Sequence, residues 1–292
     1  RLGRNRTFAI IEAFVVTFLW SSSYILVKVG LTQLSPMTLV SLRYIIASLI
    51  LMLLALLRSG VSLVRNMKML LKLIFLGFLG YTIAQGLQCV GLFYLPAVSV
   101  TFILNFTPII VLVLGIMFLR EYPTLKQLIG MTIAIVGAYL FFNDPLANSG
   151  LTGISITLLS GLGWAGYLVS SRFLFIKDKV KPLELTAFSM SFGTLLMAFG
   201  AYSFEGFQVV SFSSWVIIAW LGVVNTALAF FMWNHALQKL EAFEISILQN
   251  TMLVQIALLS WFFLGEQLTS IKAISMALVF VGALIVQLKK TK

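Results

Sequence analysis

Apolar residues in this chain fall in long continuous blocks. About ten can be read, near 8–31, 37–57, 69–93, 97–119, 125–142, 151–175, 184–204, 213–238, 243–264 and 270–288. A helix that crosses a bilayer needs about 20 mostly apolar residues, and these blocks have that length. Their continuity predicts helices; a membrane barrel would show short alternating strands instead. The breaks are brief and carry turn-forming residues: Ser35-Pro36, Arg58-Ser59-Gly60, Pro96, Glu121-Tyr122-Pro123, Asn143-Asp144-Pro145, Lys181-Pro182 and Gly265-Glu266. None is long enough to hold a soluble domain. The first block is too long for a signal-peptide core and is followed by further spans, so it is expected to stay as a helix.

The charges sharpen this picture. With the N-terminus placed in the cytoplasm, the inner face collects Arg1, Arg4, Arg6, Arg58, Arg65, Lys68, Lys72, Arg120, Lys126, Arg172, Lys177, Lys179, Lys181, Lys239, Lys289, Lys290 and Lys292. The outer loops hold Lys272, and Lys28 and Arg43 fall within spans. That asymmetry is what the positive-inside rule requires of an even number of spans with both ends inside. It also accounts for the net charge of +11 without nucleic acid, since the basic residues become anchors at an anionic lipid surface.

The two halves repeat. At a shift of 145 residues Leu76-Gly77 falls on Leu221-Gly222, Asn105 on Asn250, and Phe118-Leu119-x-Glu121 on Phe263-Leu264-x-Glu266. Thr124 then falls on Thr269, and Val136-Gly137-Ala138 on Val281-Gly282-Ala283. Nearer the start the shift changes slightly, with Trp20 on Trp164 and Lys28 on Arg172. Five spans per half is an odd number, so the second half enters the membrane from the opposite side. The expected fold is all-α and integral to the membrane: ten transmembrane helices as two inverted-topology five-helix repeats, residues 1–145 and 146–292. Such repeats give one chain two related conformations that open a central site to either side, which favours a transporter.

Composition supports a bilayer as solvent: 60% of residues are hydrophobic and 10% charged. One cysteine, Cys89, and one histidine, His235, leave no material for a disulfide framework or a Cys/His metal cluster. No P-loop, His-Glu-x-x-His or Gly-x-Ser-x-Gly pattern occurs, so no built-in ATPase, cofactor or metal chemistry is expected.

The tryptophan-bearing openings of each half, Leu19-Trp20-Ser21-Ser22-Ser23 and Gly161-Leu162-Gly163-Trp164-Ala165-Gly166, resemble the drug/metabolite transporter superfamily, EamA branch. So do the endings Phe118-Leu119-Arg120-Glu121 and Phe263-Leu264-Gly265-Glu266, each followed by a span bearing Val-Gly-Ala. The resemblance covers nearly the whole chain. It implies a bacterial inner-membrane carrier of small metabolites, with export of amino acids among the activities of similar proteins. It also implies helix-end work, rather than substrate contact, for Glu121 and Glu266.

Polar groups inside a bilayer are expensive and pair, face the bundle interior or bind something. Lys28 and Arg43 could attract a carboxylate or phosphate, or snorkel to the outer interface; Arg43 is the stronger candidate because it sits beside Tyr44 and can hold a carboxylate bidentately. Trp20 with Ser23 and Tyr24, and Trp164 with Tyr167, lie mid-span among small residues and are expected to line a cavity or pack helices. Tyr81 and Gln85, Asn225 and Trp233, and the repeat-related Asn105 and Asn250 complete the expected substrate-binding set. Pro108 after Thr107 is expected to kink the fourth span and open backbone carbonyls. Glu12 is a coupling candidate, as in small multidrug antiporters with a glutamate in their first helix, or an acid stabilised near a helix N-terminus. His235 is expected to be a structural hydrogen-bonder.

These residues predict a midplane cavity lined by spans one, three, four, six, eight and nine, suited to an amphipathic zwitterion such as an apolar or aromatic amino acid. A drug or quaternary-amine transporter of the same fold, proton-coupled through Glu12, is the rival. The expected partners are a small-molecule substrate and membrane lipid, with no nucleic acid, in a monomer or weak homodimer.

Overall fold

The computed structural model describes residues 2–59, 66–95, 97–141, 150–206, 208–264 and 269–288. Within them the apolar blocks become ten helical rods, numbered here α1 to α10. They are α1 (Leu2–Gly30), α2 (Pro36–Ser59), α3 (67–94), α4 (97–119), α5 (Leu125–Phe141), α6 (Leu151–Lys177), α7 (Pro182–Glu205), α8 (Phe212–Leu237), α9 (Ala242–Leu264) and α10 (Ser270–Gln287). Eight contain stretches long and apolar enough to cross a membrane by themselves; α5 is apolar but 17 residues long, and α1 opens on a basic tail. Large apolar side chains such as Leu49, Leu57, Leu195, Phe199 and Met117 point outwards, as a lipid-facing surface demands.

The opposite course of the two halves is fixed by contacts. Arg6, near the start of α1, meets Glu244 at the start of α9 and the Gln287 carbonyl at the end of α10. Arg172, near the end of α6, meets Glu121 after α4 and the carbonyls at the end of α8. So α1 begins at the end of the bundle where α6 finishes, and the second repeat is inverted. That end carries Arg6, Lys72, Arg172 and Lys239 and is called the basic end below.

Repeat mates also pack as pairs. The helices α5 and α10 cross at glycine: a methyl at Gly130 would stand 2.8 Å from the Gly282 carbonyl, and one at Gly137 would stand 2.9 Å from the Ser275 carbonyl. In the same way Gly77 of α3 lies against the Ser189 carbonyl of α7, while its mate Gly222 of α8 would place a methyl 3.0 Å from the Arg43 carbonyl of α2. Lipid offers helices no hydrophobic drive to associate, so close backbone approach at small residues supplies the packing.

Three of the rods are not regular. A π-helical stretch interrupts α3 at Phe78–Gly86, and another interrupts α8 at Val223–Leu228. Their starts are 145 residues apart, so the irregularity belongs to the repeat itself; π-bulges of this kind gather at functional sites. The expected kink in α4 is present. Between Ala97–Leu104 and Thr107–Leu114 the chain turns at Asn105, and the amide of Ile109 bonds the Phe106 carbonyl. The Asn105 carbonyl is thereby left for a partner outside its own helix.

Gly193→Val should destabilise the purified protein by on the order of 1–3 kcal/mol, seen as a lower thermal unfolding midpoint, since its added carbons press on the Gly77 carbonyl. Gly115→Ala, where nothing lies within 4 Å of an added methyl, should leave the midpoint unchanged. Equal sensitivity at the two positions would contradict the glycine-contact account of packing.

Candidate functional site

A cavity of about 150 Å³ lies between the two halves. From the first repeat its wall takes Trp20, Ser23 and Val27 of α1, Leu39, Val40 and Arg43 of α2, and Gln85, Gln88 and Cys89 of α3. The kinked part of α4 adds Thr101, Leu104, Asn105, Thr107 and Pro108. From the second repeat come Trp164 of α6 and a face of α9 running from Ser246 through Gln249 and Asn250 to Ile256. Val27 and Leu39 are within one turn of the helix ends opposite the basic end. In the other direction the lining stops at Ser246, two residues from Glu244.

The floor of the cavity is aromatic. The repeat mates Trp20 and Trp164 meet edge to face at 6.0 Å between centroids, and Trp20 lies 4.8 Å from Trp233 and 5.2 Å from Phe230. The Trp20 indole N–H donates to the Asn225 carbonyl at 3.1 Å, and that of Trp164 donates to Gln249 Oε1 at 2.7 Å. Both rings are thus locked by the opposite repeat or by a neighbouring cavity amide. Beneath them Tyr81 and Tyr167 share a hydroxyl contact of 3.0 Å, and Asn234 donates to Tyr167 at 2.7 Å.

The second pair of mates meets across the bundle. Asn250 donates its side-chain amide to the Asn105 carbonyl at 2.9 Å, the carbonyl released by the kink of α4. The Asn105 amide returns to the Thr101 carbonyl at 2.7 Å, while its Oδ1 is buried without a partner. Two residues related by the repeat can touch only near the axis that relates them, so the cavity sits on that axis. Amides there offer donor and acceptor capacity to a bound molecule.

Of the residues picked out by sequence, Trp20, Ser23, Arg43, Gln85, Asn105, Trp164 and Asn250 are brought to this cavity. Tyr81, Tyr167, Asn225 and Trp233 are not: all four are fully buried, Tyr81, Tyr167 and Trp233 in the aromatic layer and Asn225 behind Trp20, against Leu19 and Ser22. Tyr81 sits one turn nearer the basic end than Gln85, which is enough to move it from the cavity wall into the aromatic layer. The expectation that α8 lines the cavity is corrected on the same ground, because Phe230 and Trp233 support the floor from behind. Its place is taken by α2 through Leu39, Val40 and Arg43. Gln88 and Gln249 belong to the wall, and their signals were available: Gln88 is one turn from Gln85, and Gln249 adjoins Asn250. The side chains of Tyr24 and Lys28, and residue Glu266, lie outside the described residues.

Glu12 is far from the cavity. Its carboxylate pairs with His235 Nδ1 at 2.7 Å, and Lys239 Nζ stands 3.2 Å from the other ring nitrogen. This contact belongs to a network that closes the basic end between the repeats. Fully buried Glu244 accepts both terminal nitrogens of Arg6, at 3.0 and 2.9 Å, together with the Gln127 amide at 2.8 Å and the Glu241 backbone N–H at 3.0 Å. Glu121 takes Arg172 at 2.9 Å and the Ala242 N–H at 3.0 Å, which caps the start of α9. Arg172 is therefore not the lipid-surface anchor expected of the inner-face basic residues: its Nη1 bonds the Leu237 and Gln238 carbonyls inside the bundle end. The partly exposed Lys72–Asp178 pair adds little, since screened surface pairs contribute under about 1 kcal/mol.

Residues 7–143 and 151–288 each match the EamA-like transporter family. The chain belongs to that family: it is a multi-pass membrane transporter built from two tandem repeats. It is 27% identical over 285 residues to an uncharacterized transporter of Archaeoglobus fulgidus, covering 96% of this chain and 99% of the relative. A protein of Salmonella typhimurium described as "Probable amino-acid metabolite efflux pump" is 24% identical over 284 residues, covering 92% and 91%. A solved crystal structure superposes with a TM-score of 0.78 at 19% identity, covering 95% of this chain and 96% of that one, which is a likeness of fold.

In a Cys89→Ala background, cysteines at Gln88 and Thr101 should react with a membrane-impermeant maleimide, whereas one at fully buried Asn234 should not. Trp233→Ala should lower stability by about 3–5 kcal/mol, the range for truncating a buried ring. Gln85→Ala should leave stability within about 0.5 kcal/mol. A destabilised Gln85→Ala with an unaffected Trp233→Ala would reverse the assignment of wall and packing residues.

Proposed function

We propose that this transporter exports an amphipathic zwitterion of the amino-acid class across the bacterial cytoplasmic membrane by alternating access, with the basic end on the cytoplasmic side. The observation that carries the reading is one small cavity on the repeat axis, walled by both halves and closed at the basic end by ion pairs between them. Amides and hydroxyls from Gln85, Gln88, Asn105, Gln249 and Ser246 provide polar contacts, and Trp20 and Trp164 provide an apolar floor. A space of about 150 Å³ accommodates a group the size of one benzene ring. Opening to the cytoplasm would require the Arg6–Glu244 and Arg172–Glu121 contacts to part while the opposite end draws together. Both repeats and the whole wall come from one chain, so one copy is the working unit in this reading, as a monomer or in a weak homodimer.

A cation carrier would balance its substrate with a negative group or hold it over aromatic faces, and the Arg43 cation in the wall opposes either. No Asp or Glu is among the described wall residues, and Glu12 is held by His235 behind the aromatic floor. The Salmonella typhimurium relative named above, at 24% identity, points the same way.

The test is counterflow in proteoliposomes loaded with unlabelled amino acid, against labelled tryptophan or threonine and, separately, a labelled quaternary amine. Accelerated exchange of the amino acids is expected, and Asn250→Ala should reduce it by roughly tenfold or more, since it removes a buried hydrogen bond that shapes the wall. Exchange of the amine alone would contradict the proposal and make Glu12 the residue to pursue.

A further inference from the structure

We propose that Arg43 is the anchor for a single carboxylate on the transported molecule, so that the substrate is an acid or zwitterion and not a cation or a neutral compound. The inference rests on the transport reading above and narrows its substrate class.

Arg43 is the one charged side chain among the described residues that line the cavity. It is 8% exposed, so its guanidinium is removed from bulk water. Its Nε donates to Thr226 Oγ1 at 3.1 Å, and its central carbon lies 5.1 Å from the centre of the Tyr44 ring. Those contacts aim the group, with the Tyr44 side chain as a further polar neighbour, and no described carboxylate pairs with its fork. The acids elsewhere in the bundle are engaged. Glu205 accepts from the Met37 and Thr38 amides, Glu12 from His235, and Glu244 from Arg6. A buried guanidinium without a counter-charge is costly, whereas one that closes a bidentate pair with a carboxylate is among the stronger polar contacts proteins make.

The repeat argues that the fold has no need of this charge. The helices α2 and α7 have 24 residues each and both begin at proline, Pro36 and Pro182. Aligning those prolines sets Arg43 on Ser189. The pairing is confirmed by packing, because the mates Gly77 and Gly222 rest against the Ser189 and Arg43 carbonyls respectively. Ser189 meets its hydrogen-bonding needs locally, donating to the Leu185 carbonyl at 2.6 Å. One half therefore holds the scaffold position with a small, self-satisfied hydroxyl. The other half places a cation there, at the cavity. Thr226 is then a positioning residue, itself fixed by donating to the Leu221 carbonyl at 2.8 Å across the π-helical stretch of α8.

The experiment uses the full chain in lipid nanodiscs, titrated with two acid–amide pairs: leucine with leucinamide, and 4-methylpentanoate with 4-methylpentanamide. Tryptophan fluorescence from Trp20 and Trp164 reports occupancy. Wild type should bind each carboxylate roughly tenfold or more tighter than its amide. Arg43→Gln should bind acid and amide alike, and Arg43→Lys should keep the preference at weaker affinity. The ligand-free Arg43→Gln chain should unfold at no lower temperature than wild type, because no ion pair is lost, an outcome a structural arginine would not give. Equal binding of acids and amides by wild type, or a preference that survives in Arg43→Gln, would overturn the anchor. Running the same probes in proteoliposome exchange separates the two claims. Arg43-dependent binding without exchange would leave the anchor and remove the transport reading; exchange with no preference for the carboxylates would do the reverse.

Discussion

Glu244 is the residue on which the arrangement turns. A fully buried carboxylate in a bilayer protein is stable only when its lone pairs are filled, and here the donors come from α1, α5 and the entry to α9. Filling them forces parts of both repeats to meet at one level. Arg172 does the same a few ångströms away, holding Glu121 of the first half against the carbonyls that end α8. With the basic end drawn together in this way, the helices can part only towards the other end, and that is where the wall of the cavity runs. The contacts are also reversible in principle, since both partners of an ion pair that opens to water are rehydrated together.

Above that closure the aromatic layer acts as a septum. Trp20, Trp164, Phe230 and Trp233 come from α1, α6 and α8, so it too is shared between repeats. The indole N–H groups of Trp20 and Trp164 are bonded to Asn225 and Gln249, while that of Trp233 is buried without a partner among the described residues. The cavity wall is different in character. It contains groups with capacity to spare, Asn105 Oδ1 and the fork of Arg43, and these are the places where a ligand would complete what the protein leaves open. The described wall carries one cation, Arg43, and no acid, and that gives the cavity its polarity.

Much of the architecture could be read from residue order. The ten apolar blocks, the inversion and the mates Trp20/Trp164 and Asn105/Asn250 follow from block length, charge placement and polar residues recurring in one register. The kink at Pro108 follows from a missing N–H. What residue order did not carry was direction around each helix. A span that is apolar on all faces has no stripe to mark its inner side, so height in the membrane is legible and azimuth is not. Tyr81, Tyr167, Asn225 and Trp233 were therefore grouped with the wall although they pack below or behind it. The π-helical stretches at Phe78–Gly86 and Val223–Leu228 add to this, because they alter the register of the faces that follow. Arg172 differs for another reason: an arginine at a helix end reads as a lipid-surface anchor until the acid facing it, Glu121 on a distant segment, is known.

The central claim is that one axial cavity is opened alternately at the two ends by exchange between equivalent packings of the repeats. Pulsed electron resonance distances would test it most directly. One pair of spin labels would sit at exposed Lys126 and Lys179 of the basic end, another at exposed Thr32 and Gly150 of the opposite end. Alternation predicts two populations at each end that shift reciprocally when a transported substrate is added, the basic-end distance lengthening as the other shortens. Single distances at both ends, unmoved by substrate, would contradict it.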